Sequence, residues 1–128
     1  MSGIFGVVSK DKAQEDLFYG TDYHSHLGTQ FAGLAMWGEK LVRKIHDIRG
    51  SQFKAKFHEE YKKLEGTKGI GVISAKDEQP IYVNSKFGPF AIVVNGFVDN
   101  TDALVSLLYK EGQSFSDVTN GTVNSAEL

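Results

Sequence analysis

The sequence contains no cysteine, and only two prolines and two arginines. The first absence excludes disulfides, thiolate metal ligands and a cysteine nucleophile. Two prolines beside 14 glycines argue against a proline-rich tail and for tight turns and close backbone approaches. The basic set is 12 lysines plus Arg43 and Arg49, so a forked guanidinium clamp on a carboxylate or phosphate has few candidates. Charge of one sign is also lacking: 14 basic against 16 acidic residues leave a net charge of −2, with no electrostatic footprint for nucleic acid or an anionic membrane. No apolar run approaches the ~20 residues of a bilayer span, and no basic segment with a long apolar stretch opens the chain. Neither a nucleic acid nor a membrane is therefore an expected partner, and a cytoplasmic location is the default. With 128 residues, 41% of them hydrophobic, the chain can bury one core.

The apolar pattern divides the chain into short elements. Ile4 to Val8 is apolar and β-branched enough for a buried strand at the extreme N-terminus. Ala13, Leu17, Phe18 and Tyr23 recur at loosely helical spacing, which predicts a helix ending at Gly28. Phe31–Trp37 and Lys40–His46 flank Gly38-Glu39 and predict a hairpin. Ser51 can cap a helix carrying Phe53, Phe57, Tyr61 and Leu64 on one stripe, ended by Gly66, with the charged Lys54–Lys63 stretch as its solvated face. Gly69–Ser74, Gln79–Val83 and Pro89–Val94 read as three strands. A polar turn at Asp99–Asp102 opens a helix with Ala103, Leu104, Leu107 and Leu108 on one side, stopped by Gly112. Asn124-Ser125-Ala126-Glu127 has the form of a capping box. A helix starting there could not stand on four residues, which implies a polypeptide continuing beyond Leu128. The fold class is α+β, with mainly antiparallel strands and helices packed against them.

Two places can carry chemistry. Met1 precedes the small residue Ser2, a context in which the initiator methionine is commonly removed, and the exposed α-amine, with a pKa near ~8, could then take the proton of the Ser2 hydroxyl. Small second residues are common, so Ser2 alone is weak. At Val93-Val94-Asn95-Gly96 an apolar strand ends in an amide and a glycine N–H, two donors suited to a developing oxyanion; the plain alternative is a strand-ending Asn-Gly turn. His24 and His26 are two apart and would point to different faces of a helix, with no third ligand evident, so no metal is expected there; His46 and His58 read as isolated residues.

Taken together these residues resemble the glutaminase domain of glutamine amidotransferases of the N-terminal-nucleophile type, most closely that of the amidophosphoribosyltransferase family of purine synthesis. That family begins Met-Cys-Gly-Ile-Phe-Gly-Val, where this chain has Met1-Ser2-Gly3-Ile4-Phe5-Gly6-Val7. Its His-Arg-Gly-Gln-x-x-Ala-Gly-Ile corresponds, with one extra residue, to His26 through Leu34. Gly69-Ile70-Gly71 matches the start of its Gly-x-Gly-His-x-Arg segment, and Gln79-Pro80-Ile81 resembles its Gln-Pro-Phe. Val94-Asn95-Gly96 stands where it has His-Asn-Gly, and Val123-Asn124-Ser125 where it has Ser-Asp-Ser. The resemblance implies a sandwich of two antiparallel sheets flanked by helices, of which residues 1–128 would be only the N-terminal portion. It also implies Ser2 at the nucleophile position, Asn95 and Gly96 as the oxyanion hole, no cofactor, and a downstream phosphoribosyltransferase domain that uses the ammonia.

The departures from the family fall on the chemistry. A hydroxyl replaces the thiol at Ser2 and is a far weaker nucleophile near neutral pH. Gly71 is followed by Val72-Ile73-Ser74 where the family's carboxylate-clamping arginine is expected; Leu27 replaces the arginine of His-Arg-Gly, and Asn124 the aspartate that holds the substrate's α-amino group. Losing one charge-assisted contact typically costs ~1.5–3 kcal/mol, and two such losses approach the roughly 4 kcal/mol that binds a millimolar ligand. The expectation is a glutaminase-like domain that binds glutamine weakly if at all and has lost glutaminase activity. An active N-terminal serine amidohydrolase for another amide and a non-catalytic interaction or regulatory module are the alternatives. Oligomeric state stays open, a homo-oligomer included.

Overall fold

The computed structural model describes residues 2–27 and 30–128, apart from the side chain of Leu27. Strands β1 (Gly3–Val8), β2 (Phe31–Trp37), β3 (Leu41–Asp47) and β4 (Lys68–Ser74) form one antiparallel sheet in the order β1-β4-β2-β3. The N-terminal strand therefore pairs not with its sequence neighbour but with β4, Gly3 opposite Ile73 and Val8 opposite Lys68. That pairing brings Ser2 beside the end of β4.

One face of this sheet carries the core. Helix α1 (Gln14–Asp22) lays Leu17 and Phe18 against Leu34 and Met36 of β2 and Ile73 of β4, with Phe5 and Val7 at the margin. Gly71 explains how closely α1 approaches: a Cβ there would overlap the Thr21 hydroxyl and lie 2.9 Å from Thr21 Cβ. The helix expected over 51–66 is instead a short α2 (Phe53–Phe57) and a separate 3₁₀ turn over Tyr61–Lys63. The interruption has a packing reason. Phe53 and Phe57 stack on each other at 4.6 Å, while Tyr61 turns back to stack on Phe18 at 4.0 Å, so all three rings reach one core. His46 is not isolated, since its Nε2 meets Glu60 Oε2 at 2.8 Å and its ring meets Phe57 edge-on.

The opposite face of the sheet is covered by the chain after β4. Gln79 and Pro80, joined by a cis peptide bond, cross over Gly33 and precede β5 (Ile81–Ser85), which pairs with β6 (Gly88–Ile92). Both strands are shifted from their expected bounds of 79–83 and 89–94, because Gln79 and Val94 bond through a side chain rather than a ladder. Arg43 Nη1 donates to the Pro80 carbonyl at 3.0 Å and fastens the crossing segment to β3. Helix α3 (Thr101–Lys110) ends at Gly112, whose φ of +82° suits glycine, and none of its residues is buried.

The C-terminal segment departs from the expected capping box. A small hairpin, β7 (Val118–Thr119) and β8 (Thr122–Val123), turns through Asn120-Gly121, both at positive φ. Asn124 Oδ1 accepts the Ala126 N–H at 3.0 Å, but the Glu127 carboxylate takes the Ser116 and Asp117 N–H groups at 2.8 Å instead of returning to the cap. Residues 125–127 form a turn rather than a helix. The fold is α+β with antiparallel sheets, as the pattern predicted. No helix among the described residues is long and apolar enough to cross a membrane.

Candidate functional site

Four segments far apart in sequence meet at the start of β1. Ser2 Oγ accepts the backbone N–H of Ala75, just past β4, at 3.1 Å. The Ser2 carbonyl accepts Asn95 Nδ2 at 3.1 Å. Gln79 holds the strand end that bears Asn95: its Oε1 accepts the Val94 N–H at 2.7 Å and its Nε2 donates to the Val94 carbonyl at 3.1 Å. This paired amide contact imitates one rung of a β-ladder at a place where the strand has ended. A cavity of about 40 Å³ lies among these groups, lined by Ser2, Ser74, Asp77, Gln79, Gly96 and Ser125.

The structure thus brings Ser2, Asn95 and Gly96 together, as the sequence reading placed them. The expected substrate-binding positions fare differently. Val72 and Ile73 are fully buried within the sheet, Ile73 in the helix-side core, and neither lines the cavity. Alternation along β4 turns Ile73 to the helix side, while Val72 shares the face of Ser74 but lies two residues further from the strand end, and only Ser74, at that end, reaches the cavity. Asn124 is fully buried and committed to the fold: its Nδ2 donates to the Glu78 carbonyl at 2.7 Å while its Oδ1 caps Ala126. It acts as a strut under the 74–79 turn. The backbone of Leu27 closes a 3₁₀ turn over Ser25–Leu27, but its side chain, Gly28 and Thr29 lie outside the described residues, and with them the helix end expected at Gly28. Helix α1 itself stops at Asp22.

Both arginines are engaged elsewhere, Arg43 with Pro80 and Arg49 with Asp47. Lys76, exposed, is the one cationic side chain lining the cavity among the described residues. Asp77 went unnoticed in the sequence because it sits in a stretch, Ala75–Glu78, whose composition signals only a turn. In the fold it is 3% exposed, with its N–H on Ser74 Oγ at 3.0 Å and its Oδ2 accepting the Ser125 N–H at 3.2 Å. Roomier clefts lie away from Ser2: about 320 Å³ between Trp37, Leu41, Ile70 and Phe90, and about 710 Å³ beside Asp22, His26, Arg49 and Lys54. Among the described residues no three histidine or acidic side chains group to hold a metal ion.

No protein-family model matches the chain. Among curated proteins it is similar to the amidophosphoribosyltransferase of Methanocaldococcus jannaschii, 30% identical over 96% of this chain and 28% of the relative. It is also similar to the isomerising glutamine–fructose-6-phosphate aminotransferase of Cyanidium caldarium, 29% identical over 96% of this chain and 21% of the relative. Among solved structures it superposes on the glutamine phosphoribosylpyrophosphate amidotransferase from B. subtilis with a TM-score of 0.77 at 22% identity, covering 94% of this chain and 27% of that one. The chain spans about a quarter of the length of these relatives.

Proposed function

We propose that this chain, homologous to the N-terminal region of amidophosphoribosyltransferases and glutamine amidotransferases, is a glutaminase-type domain that has lost glutamine hydrolysis. The cavity beside Ser2 carries this reading. Its roughly 40 Å³ accommodates a few atoms, far short of a zwitterionic amino acid with its amide side chain. Among the described residues that line it there is no guanidinium for an α-carboxylate, and Asn124 is spent inside the fold. The Ser2 hydroxyl is a weak nucleophile, and its oxygen already accepts one N–H from Ala75. Asn95 and Gly96 could still serve as oxyanion donors, but no arginine among the described residues stands in front of them to fix a substrate.

Two wider proposals follow from the same homology. Exposed apolar side chains at Ile4, Val8, Phe87 and Phe90, together with the greater length of the relatives, support a domain that continues into a fuller two-sheet sandwich. A cytoplasmic protein whose downstream phosphoribosyltransferase domain aminates phosphoribosyl pyrophosphate from free ammonia is the corresponding whole.

The test is ammonia release from glutamine and a panel of other amides by the methionine-processed protein, beside its Ser2→Ala and Ser2→Cys variants. No Ser2-dependent release from glutamine is expected, and Ser2→Cys does not restore it because the substrate contacts are missing as well as the thiol. Ser2-dependent glutamine turnover would overturn the proposal, and turnover of another amide alone would convert it to a serine amidohydrolase.

A further inference from the structure

We infer that Asn120-Gly121, at the tip of the β7–β8 hairpin, is a site of spontaneous deamidation, and that its isoaspartyl product loosens the support of the 74–79 turn. The inference is independent of whether Ser2 turns over an amide.

The chain has two Asn-Gly pairs, Asn95-Gly96 and Asn120-Gly121. In such a pair the backbone nitrogen of the glycine can attack the side-chain amide carbon of the asparagine, because no Cβ shields the approach. The glycine N–H gives up its proton, the N–Cγ bond forms, and the Cγ–Nδ2 bond breaks with release of ammonia, which closes a succinimide. Water then opens the ring. Attack at Cγ gives aspartate, and attack at the main-chain carbonyl gives isoaspartate, in which the backbone runs through Cγ. Ammonia leaves and water enters, so solvent is the only co-reactant.

The fold treats the two pairs differently. Asn95 Nδ2, the leaving group, donates to the Ser2 carbonyl at 3.1 Å, and the Gln79 side chain holds both backbone groups of Val94 just before it. Attack there must first break into these contacts. Asn120, Gly121 and Thr122 are all exposed, and neither the Asn120 side chain nor the Gly121 N–H makes a hydrogen bond among the described residues. Two rungs, Val118–Val123 and Thr119–Thr122, close the hairpin together with the Thr122 hydroxyl, which donates to the Thr119 carbonyl at 2.9 Å. A ladder this short is marginal and opens locally, and the open turn lets Gly121 N reach Asn120 Cγ.

The product does not fit the turn it came from. Asn120 and Gly121 both hold positive φ, at 52° and 80°, to join β7 and β8 in two residues. Isoaspartate adds one main-chain atom between the Asn120 Cα and Gly121 N, so the Thr119–Thr122 rung no longer closes in register. Thr119 is buried, and its Oγ1 accepts the Glu78 N–H at 3.4 Å, while the Glu78 carbonyl accepts Asn124 Nδ2 at 2.7 Å. A change at the exposed tip therefore reaches Glu78 in the 74–79 turn.

The experiment is peptide mapping by mass spectrometry of the folded chain aged in mildly alkaline buffer, beside the same chain unfolded in urea, with isoaspartate read by enzymatic methyl transfer. Urea removes the tertiary restraint, so the ratio of unfolded to folded rate at each pair measures what the fold does there. The Asn120 peptide of the folded chain is expected to gain one mass unit as a mixture of isoaspartate and aspartate. Folding is expected to slow Asn95 roughly fivefold or more beyond Asn120, the factor that breaking one hydrogen bond supplies. Asn120→Gln, whose longer side chain closes no five-membered ring, should lose the gain; if that variant does not fold, the comparison of the two pairs within the unaltered chain decides alone. The aged isoaspartyl form, separated by its added negative charge, should show displaced amide resonances at Thr119 and Glu78. No gain at Asn120 in the folded chain once the unfolded chain has converted, slowing at Asn120 equal to or greater than at Asn95, a gain that persists in Asn120→Gln, or unmoved Thr119 and Glu78 amides in the aged form would overturn the inference.

Discussion

Gly33→Ala is the perturbation that most directly links the fold to the site. Gly33 lies in β2 where Gln79 and Pro80 cross the sheet, and a Cβ there would overlap the Gln79 carbonyl oxygen. It would also stand 2.5 Å from Pro80 Cδ and 2.8 Å from the Gln79 carbonyl carbon, against 3.4 Å for ordinary contact, so the ring must retreat by about 0.9 Å and the carbonyl by more. The obstacles are backbone and a ring, not the end of a flexible side chain. Overpacking of this kind costs typically 1–3 kcal/mol, and the upper end, about 3 kcal/mol, is expected here. With a urea slope of roughly 1.5–2 kcal/mol per molar for a chain this size, the unfolding midpoint should fall by roughly 1.5–2 M. Gly6→Ala is the control, because a Cβ at Gly6 meets nothing within 4 Å, and it should be neutral or slightly stabilising. A second readout tests the link to the site. Since the Gln79 side chain carries both backbone bonds of Val94, its displacement should move the amide resonances of Val94, Asn95 and Ser2. A midpoint shift below about 0.3 M, set against that slope, or unmoved site resonances in the folded variant, would refute the reasoning.

The other predictions concern separate parts of the molecule. Asn124→Asp, which brings back the residue type of the resembled family, should destabilise by about 2–3 kcal/mol, because a carboxylate oxygen would face the Glu78 carbonyl where an N–H now donates; unchanged chemical denaturation would show that Asn124 is not a strut. Phe18→Ala removes a 1%-exposed ring stacked on Tyr61 and should cost about 4 kcal/mol, read as a lowered denaturation midpoint. The Asp47 carboxyl, bonded to the Arg49 side chain and then to its backbone N–H, is held down from the usual 3.8 to about 2. Its contribution to stability is therefore complete above pH 3.8 and lost as pH falls through about 2. Carboxyl NMR titration should place the midpoint near 2, and Arg49→Gln should return it toward 3.8.

Local pattern was sufficient wherever a segment's environment is set by its own neighbours. The apolar runs of β1, β2 and β4, the glycine that stops α3, and the aromatic stripe Phe53-Phe57-Tyr61 all signal their roles in one dimension. So did the grouping of Ser2 with Asn95 and Gly96, through a resemblance carried by short motifs in the right order. The helix over 51–66 misled because periodicity records which side chains are buried and not whether the backbone between them stays helical; the stacking of Tyr61 on Phe18 broke it. Motif matching counts positions, and it could name Val72 and Ile73 only as the apolar residues standing where an arginine is expected; that both are fully buried in the sheet is a fact of the fold.

The sequence by itself determined the fold class, the kinship, and the absence of cysteine and scarcity of arginine, since each is a statement about which residues exist. Only the tertiary structure decided what the remaining residues do. Strand order placed Ser2 against Ala75, 73 positions away, and burial with two hydrogen bonds made Asn124 a strut. Asp77, silent in a turn-forming stretch, became a buried side chain whose Oδ2 accepts the Ser125 N–H and whose Oδ1 meets no partner among the described residues. Hydrogen-bond satisfaction and solvent exclusion depend on what arrives from elsewhere in the chain, and no local pattern contains them.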